Sequence, residues 1–157
     1  MPTRILIFLF FGLMISVTVS AQKIQAVKKS DFEGYWSGTG TGDLNVHHRD
    51  KFDYELQLHI TGNKVEGFSI TTLTIEGEKF VAKAKIAGEI HDNYLKCRET
   101  ENYYEERLPM GTGWVPFDKM ELILRKRGEK CTLEGLYEVM KGQEFGRLKL
   151  DKTPPRV

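Results

Sequence analysis

The chain is poor in the features on which functional assignments usually rest. It holds only two cysteines, Cys97 and Cys131, and their spacing matches no metal-site pattern. Neither sign of charge is in excess, with 23 Lys and Arg against 22 Asp and Glu. A nucleic-acid partner or an anionic membrane surface, both of which need a concentrated positive field, is therefore not expected. Beyond residue 21 no apolar run approaches the roughly 20 residues needed to span a bilayer. No window in that region shows the period of a helix. A Ser/His/Asp set, a phosphate-binding glycine loop and a Cys–His pair are all missing. Gly67-Phe68-Ser69-Ile70 lacks the second glycine of a nucleophile elbow. His47 and His48 are adjacent, so in an extended chain they point to opposite sides. His59 and His91 each stand alone. No cofactor, no metal and no enzymatic activity are expected.

What is present begins with a processing segment. Met1-Pro2-Thr3-Arg4 is a short basic start, Ile5 to Val19 is almost wholly apolar, and Val19-Ser20-Ala21 places small residues before Gln22. This reads as a signal peptide over 1–21 and predicts an exported protein, periplasmic or secreted, with an uncleaved N-terminal anchor as the alternative. Removing 21 of the 157 residues leaves 136, one domain's worth of chain. It also removes one charge, Arg4, so the remainder carries 22 basic and 22 acidic residues. Residues 22–30 are polar and Lys-rich, a flexible leader. The folded domain is expected over 31–152, with a short tail at 153–157. Thr153-Pro154-Pro155 is expected to end the fold, because proline cannot continue a ladder.

Within the domain about eight short apolar-alternating runs are separated mostly by Gly, Asn and Asp turns. The clearest is the second, where Phe52, Tyr54, Leu56, Leu58 and Ile60 alternate with Asp53, Glu55, Gln57 and His59, the period of a half-buried strand. The first is expected over 31–38, followed by Thr39-Gly40-Thr41-Gly42 as either a glycine-bent extension or a loop. The third covers 65–75 with a bend at Gly67, and the fourth carries Phe80, Ala82, Ala84, Ile86, Gly88 and Ile90 on one face. The fifth runs from Tyr94 to about Thr100, the sixth over 120–126, the seventh over 131–139 and the eighth over 143–150. Residues 101–118 break the rhythm as a long loop, a length that is uncommon and often functional. The fold class is all-β, an eight-stranded antiparallel up-and-down barrel, with a β-sandwich as the alternative. On this strand count Cys97 and Cys131 have one strand between them. Next-but-one strands lie roughly 9.5 Å apart, while bridged Cα atoms sit within about 7 Å. The oxidising compartment favours a disulfide and the strand count opposes it.

The opening Phe32-Glu33-Gly34-Tyr35-Trp36 resembles the Gly-x-Trp start of the first strand in lipocalins and avidins, the calycin barrels. In those families the Trp closes one end of the barrel and the Gly allows close approach. The lipocalin resemblance implies a basic residue stacked over Trp36, either Arg147 or Lys149. Leu133-Glu134-Gly135-Leu136-Tyr137 resembles a Leu-x-Gly-x-aromatic segment of uncharacterised exported bacterial lipocalin-like proteins. The chain departs from lipocalins in having no C-terminal helix after Leu150, and avidin's polar biotin set has no counterpart.

The predicted ligand-binding residues are Trp36, Tyr54, Phe68, Glu99, Trp114 and Tyr137. Glu99 shares parity with Leu95 and Cys97, which places a carboxylate inside the barrel with Tyr54, Ser69 and Tyr137 nearby, unless the strand frays there. Arg147 and Lys126 are the expected cations beside it. Tyr103, Tyr104, Trp114 and Phe117, with Gly111 and Gly113 as hinges, form either an aromatic lid over the mouth or a loop that packs its own aromatics onto the barrel rim. The expected function is non-catalytic binding of a small apolar or amphipathic molecule inside the barrel. The alternatives are an envelope or extracellular protein-interaction module with a filled interior, and a calycin-type enzyme using Glu99 as acid/base.

Overall fold

The computed structural model describes residues 26–45, 48–109, 113–141 and 144–154. Residues 1–25, His47, Gly111 and the end of the tail, and with them the expected signal peptide, lie outside them. Eight strands follow in order: β1 (Gly34–Asn45), β2 (His48–Thr61), β3 (Lys64–Ile75), β4 (Glu78–His91), β5 (Tyr94–Glu105), β6 (Lys119–Arg127), β7 (Lys130–Val139) and β8 (Glu144–Thr153). Each pairs antiparallel with the next, and β8 returns to β1, so the sheet closes into an up-and-down barrel. Closure decides against the sandwich, and the architecture is that of a calycin-like barrel. Among the described residues there is no α-helix, and no helix is long and apolar enough to cross a membrane.

Alternation sets the inside and the outside. On β2, Phe52, Tyr54, Leu56 and Leu58 are buried, while Asp53, Gln57 and His59 are exposed. One end is a floor. A single 3-10 turn (Lys29–Asp31) delivers Phe32 beneath Trp36, whose indole Nε1 donates to the Phe32 carbonyl at 2.9 Å. Lys126 reaches the Asp31 carboxylate at 2.8 Å, and Lys152 donates to the Asp31 carbonyl at 2.7 Å. Burial raises the Asp31 carboxyl, but the hydrogen bonds from Lys126 and the Lys28 amide outweigh it and leave it lowered.

Of the two alternatives for Thr39–Gly42, the strand extension is the one found, paired to β2 on one side and β8 on the other. Other strands run further than the sequence suggests. β8 continues through Asp151 and Lys152 to Thr153 because β1 supplies partners as far as Tyr35. β5 extends to Glu105 and stays paired with β4 through two irregularities, between Lys83/Ala84 and Lys85/Ile86. With β6 it pairs only over Tyr94–Cys97, opposite Ile123–Met120. The wall therefore parts at a seam between β5 and β6 on the side away from the floor.

Both glycine motifs have a structural reason. Gly34 sits at φ +111°, a conformation that side chains disfavour. Its role is thus backbone shape rather than close approach, since the nearest atom to a Cβ there would be Lys152 Cε at 3.7 Å. Gly135 is the close approach, because a Cβ would fall 1.9 Å from the Glu121 carbonyl oxygen. The cation over Trp36 is Lys152, its Nζ 5.4 Å from the ring centre. It is neither Arg147 nor Lys149: the register sets Lys152 directly opposite Trp36, while Lys149 extends outward to Glu134 at 3.2 Å. Cys97 and Cys131 are free and buried, with β6 between them. Burial and then the nearby Glu99 push the Cys97 thiol up to about 12.

Candidate binding site at the barrel mouth

The half of the barrel away from the floor is filled by aromatic rings around one carboxyl group. Glu99 points inward on β5, as its parity with Leu95 and Cys97 requires, and is only 8% exposed. Its Oε1 accepts hydrogen bonds from the Tyr54 hydroxyl at 2.8 Å and the Ser69 hydroxyl at 2.6 Å. Its Oε2 accepts the Phe117 backbone N–H at 2.8 Å. In return the Glu99 N–H donates to the Phe117 carbonyl at 2.9 Å. Burial raises the carboxyl above its ordinary range, and the three donors only partly offset it. The Tyr54 hydroxyl is raised well above its usual value, first by burial and then by Glu99.

Phe117 comes from the segment 113–118, which occupies the seam where β5 leaves β6. Its ring lies between two phenol rings. The centroid is 5.2 Å from Tyr54 at an interplanar angle of 24°, and 4.3 Å from Tyr137 at 14°. Phe52 packs its edge against Tyr54 and Tyr137 at 6.2 and 5.8 Å. Trp114 is half-buried, and its Nε1 donates to the Glu106 carbonyl at 2.7 Å. Asp118 is held to the end of β7, its N–H bonding the Glu138 carbonyl at 2.9 Å and its carboxylate taking the Lys141 N–H at 2.7 Å.

Beside Glu99 a cavity of about 30 Å³ remains, bounded by Ser69, Ala82, Ala84, Trp114 and Phe117. The alanines leave this space, as small inward residues on the fourth strand suggest. It is about the volume of one water molecule and far below the roughly 300 Å³ of a small-molecule pocket. In this conformation the described residues leave no room for a small molecule beside Glu99.

The predicted residues divide accordingly. Tyr54, Glu99 and Tyr137 meet in this cluster, and Trp114 borders it. Trp36 belongs to the floor. Phe68 is outside, 44% exposed, because Ser69 takes the inward position on β3. It packs edge-on against Tyr103 at 5.7 Å. Tyr103 and Tyr104 lie on the extended β5 and are exposed, so the aromatic segment at the mouth is 113–118 alone. Neither expected cation reaches Glu99. Lys126 is engaged with Asp31 at the floor, and Arg147 is exposed between the buried Leu148 and the half-buried Gly146. Phe117, named in the sequence only as one aromatic of a loop, is the group that completes the cluster.

On the outer wall, depressions of about 410 and 250 Å³ flank Phe68. The first is lined by Gln57, His59 and Lys85, the second by Tyr35, Ile70 and Tyr103. Among the described residues no three His, Cys, Asp or Glu side chains are grouped to hold a metal ion.

In comparisons with known proteins, no protein-family model matches this chain and no curated protein matches it significantly. Fold and site together define its class: a closed eight-stranded antiparallel barrel with one carboxyl group buried under an aromatic stack.

Proposed function

We propose that the chain is an exported, non-catalytic binding protein, and that the site is the mouth of the barrel, closed in this conformation by its own segment 113–118. The observation that carries this reading is the origin of Phe117. Near the floor the interior is filled by strand residues and by Phe32, which the short 3-10 turn before β1 packs beneath Trp36. At the mouth the rings of Phe52, Tyr54 and Tyr137 come from strands, and Phe117, which belongs to no strand, completes the stack at a seam where β5 and β6 are not paired. A buried carboxyl group costs stability, and such groups concentrate at functional sites. Withdrawal of Phe117 would expose a small aromatic pocket with a few placed polar groups, the usual make-up of a ligand site. A catalytic role for Glu99 is less well supported, because Oε1 already accepts two protein hydroxyls.

The small volume left inside favours a second reading, a filled barrel that serves as an envelope or extracellular interaction module. Its surface would be the outer wall around Phe68, Tyr103 and Tyr104, which are 44%, 47% and 46% exposed. Native mass spectrometry of protein recovered from its own host separates the two. A retained small molecule, on a chain starting at Gln22, is the expected result. A bare chain, with apolar fluorescent probes failing to bind either the wild type or Phe117→Ala, would favour the interaction module. An intact Met1 on soluble protein would remove the export reading.

A further inference from the structure

We infer that the slot between Tyr54 and Tyr137 takes a flat aromatic amine, with the ring in the place of Phe117 and the nitrogen at Oε2 of Glu99. This rests on the mouth being the binding site and adds the class of ligand. Phe117 itself supplies the template. It presents one flat ring, nearly parallel to two phenol rings, and one N–H directed at a carboxylate oxygen. A free molecule that replaces it must offer both groups in the same relation.

Charge selects among such molecules. Oε1 is occupied by Tyr54 and Ser69, both of which belong to strands and stay in place. Only the Oε2 position is vacated when segment 113–118 leaves. Among the described residues no ion pair involves Glu99. A protonated amine supplies the lost N–H and, in addition, the opposite charge, and charge-assisted hydrogen bonds are about twice as strong as neutral ones. An alcohol of the same shape supplies only the hydrogen bond. A carboxylate of similar shape meets a like charge in a desolvated site. Access is available at the seam, because releasing Phe117 breaks its backbone pair with Glu99 and leaves every β-ladder intact. Asp118, held to β7, is the pivot.

The test is calorimetric titration of the full processed chain near neutral pH with 2-phenylethylamine, 2-phenylethanol and phenylacetate. The expected order of affinity is amine, alcohol, acid, with at least about tenfold between the first two, as a charged hydrogen bond implies. Glu99→Gln is expected to abolish that tenfold preference while the alcohol still binds. Phe117→Ala is expected to tighten both the amine and the alcohol by removing the competing ring. If amine and alcohol bind equally, or if the preference survives in Glu99→Gln, the aromatic-amine assignment is overturned and the mouth stands as a binding site. If none of the three binds the wild type or Phe117→Ala, both are overturned. Circular dichroism checks each variant. Should Phe117→Ala not fold, Phe117→Leu, which keeps apolar bulk and loses the flat ring, takes its place.

Discussion

Burial lifts the Glu99 carboxyl above its ordinary value of 4.5, although Ser69, the Phe117 amide and Tyr54 all donate to it. A carboxyl group raised in the folded state binds more protons folded than unfolded between the two values. Stability then falls as pH climbs through that window. The contribution is favourable below 4.5 and is lost as pH passes the raised value. Glu99→Gln keeps the shape and cannot ionise. Urea unfolding of both proteins from about pH 4 to about pH 8 should therefore show the wild type losing stability relative to the variant, by at most about 1.4 kcal/mol per pH unit. A wild type that gains on the variant with rising pH would mean that the three donors outweigh burial. The same residue shows how far parity reasoning reaches. Parity with Leu95 and Cys97 puts Glu99 inside, as found, whereas Phe68, expected at the ligand site, lies outside because its neighbour Ser69 takes the inward position. Arg147 alternates with the buried Leu148 and Leu150, so parity already turns it outward, whereas the place of Lys126 at the floor depends on how far along β6 it falls and was not legible.

At the scale of the strand, glycine carries information that hydrophobic alternation does not. Gly135 on β7 lies against the β6 backbone so closely that a Cβ would overlap the Glu121 carbonyl. Backbone cannot swing aside as a side chain can, so Gly135→Ala should cost about 1–3 kcal/mol, the range for overpacking. Gly113→Ala is the control, since nothing lies within 4 Å of a Cβ there, and it should be near neutral. Chemical denaturation measures both, and equal effects would remove the close-approach explanation of the Leu-x-Gly-x-aromatic segment. The periodic strands were readable because alternation and burial coincide, as on β2. Thr39–Gly42 has too few side chains to alternate, so the sequence leaves it open between a glycine-bent extension of β1 and a loop; neighbours on both sides hold it in the ladder. β5 was cut at about Thr100 because its two irregularities shift the inward positions, so that Asn102, not Glu101, faces Ala84. Phe117 lies in an aperiodic segment, and no local pattern says that its ring turns into the barrel.

For the molecule as a whole the question is whether the mouth opens more readily than the sheet. β1, β2, β7 and β8 are paired along most of their length, and closure leaves them no free edge. β5 and β6 share only the short ladder at Tyr94–Cys97. Their continuation is replaced by two bonds between Glu99 and Phe117, one from the Glu99 N–H to the Phe117 carbonyl and one from the Phe117 N–H to the Glu99 carboxylate, with a loop rather than a strand on one side. Segments with few shared hydrogen bonds open locally at a free energy below that of global unfolding. Native-state hydrogen exchange followed residue by residue should therefore find the Glu99 and Phe117 amides opening together. Their common opening free energy should lie well below that of Leu56 on β2 and Leu133 on β7, which should exchange only with global unfolding. The linked pair matters as much as the low value. The Glu99 N–H is bonded to the Phe117 carbonyl, and the Phe117 N–H to the Glu99 carboxylate, so one motion releases both. If Phe117 is instead protected to the level of Leu133, segment 113–118 is part of the permanent core. The barrel would then have no gate, and the outer wall around Phe68 would be where this protein meets its partners.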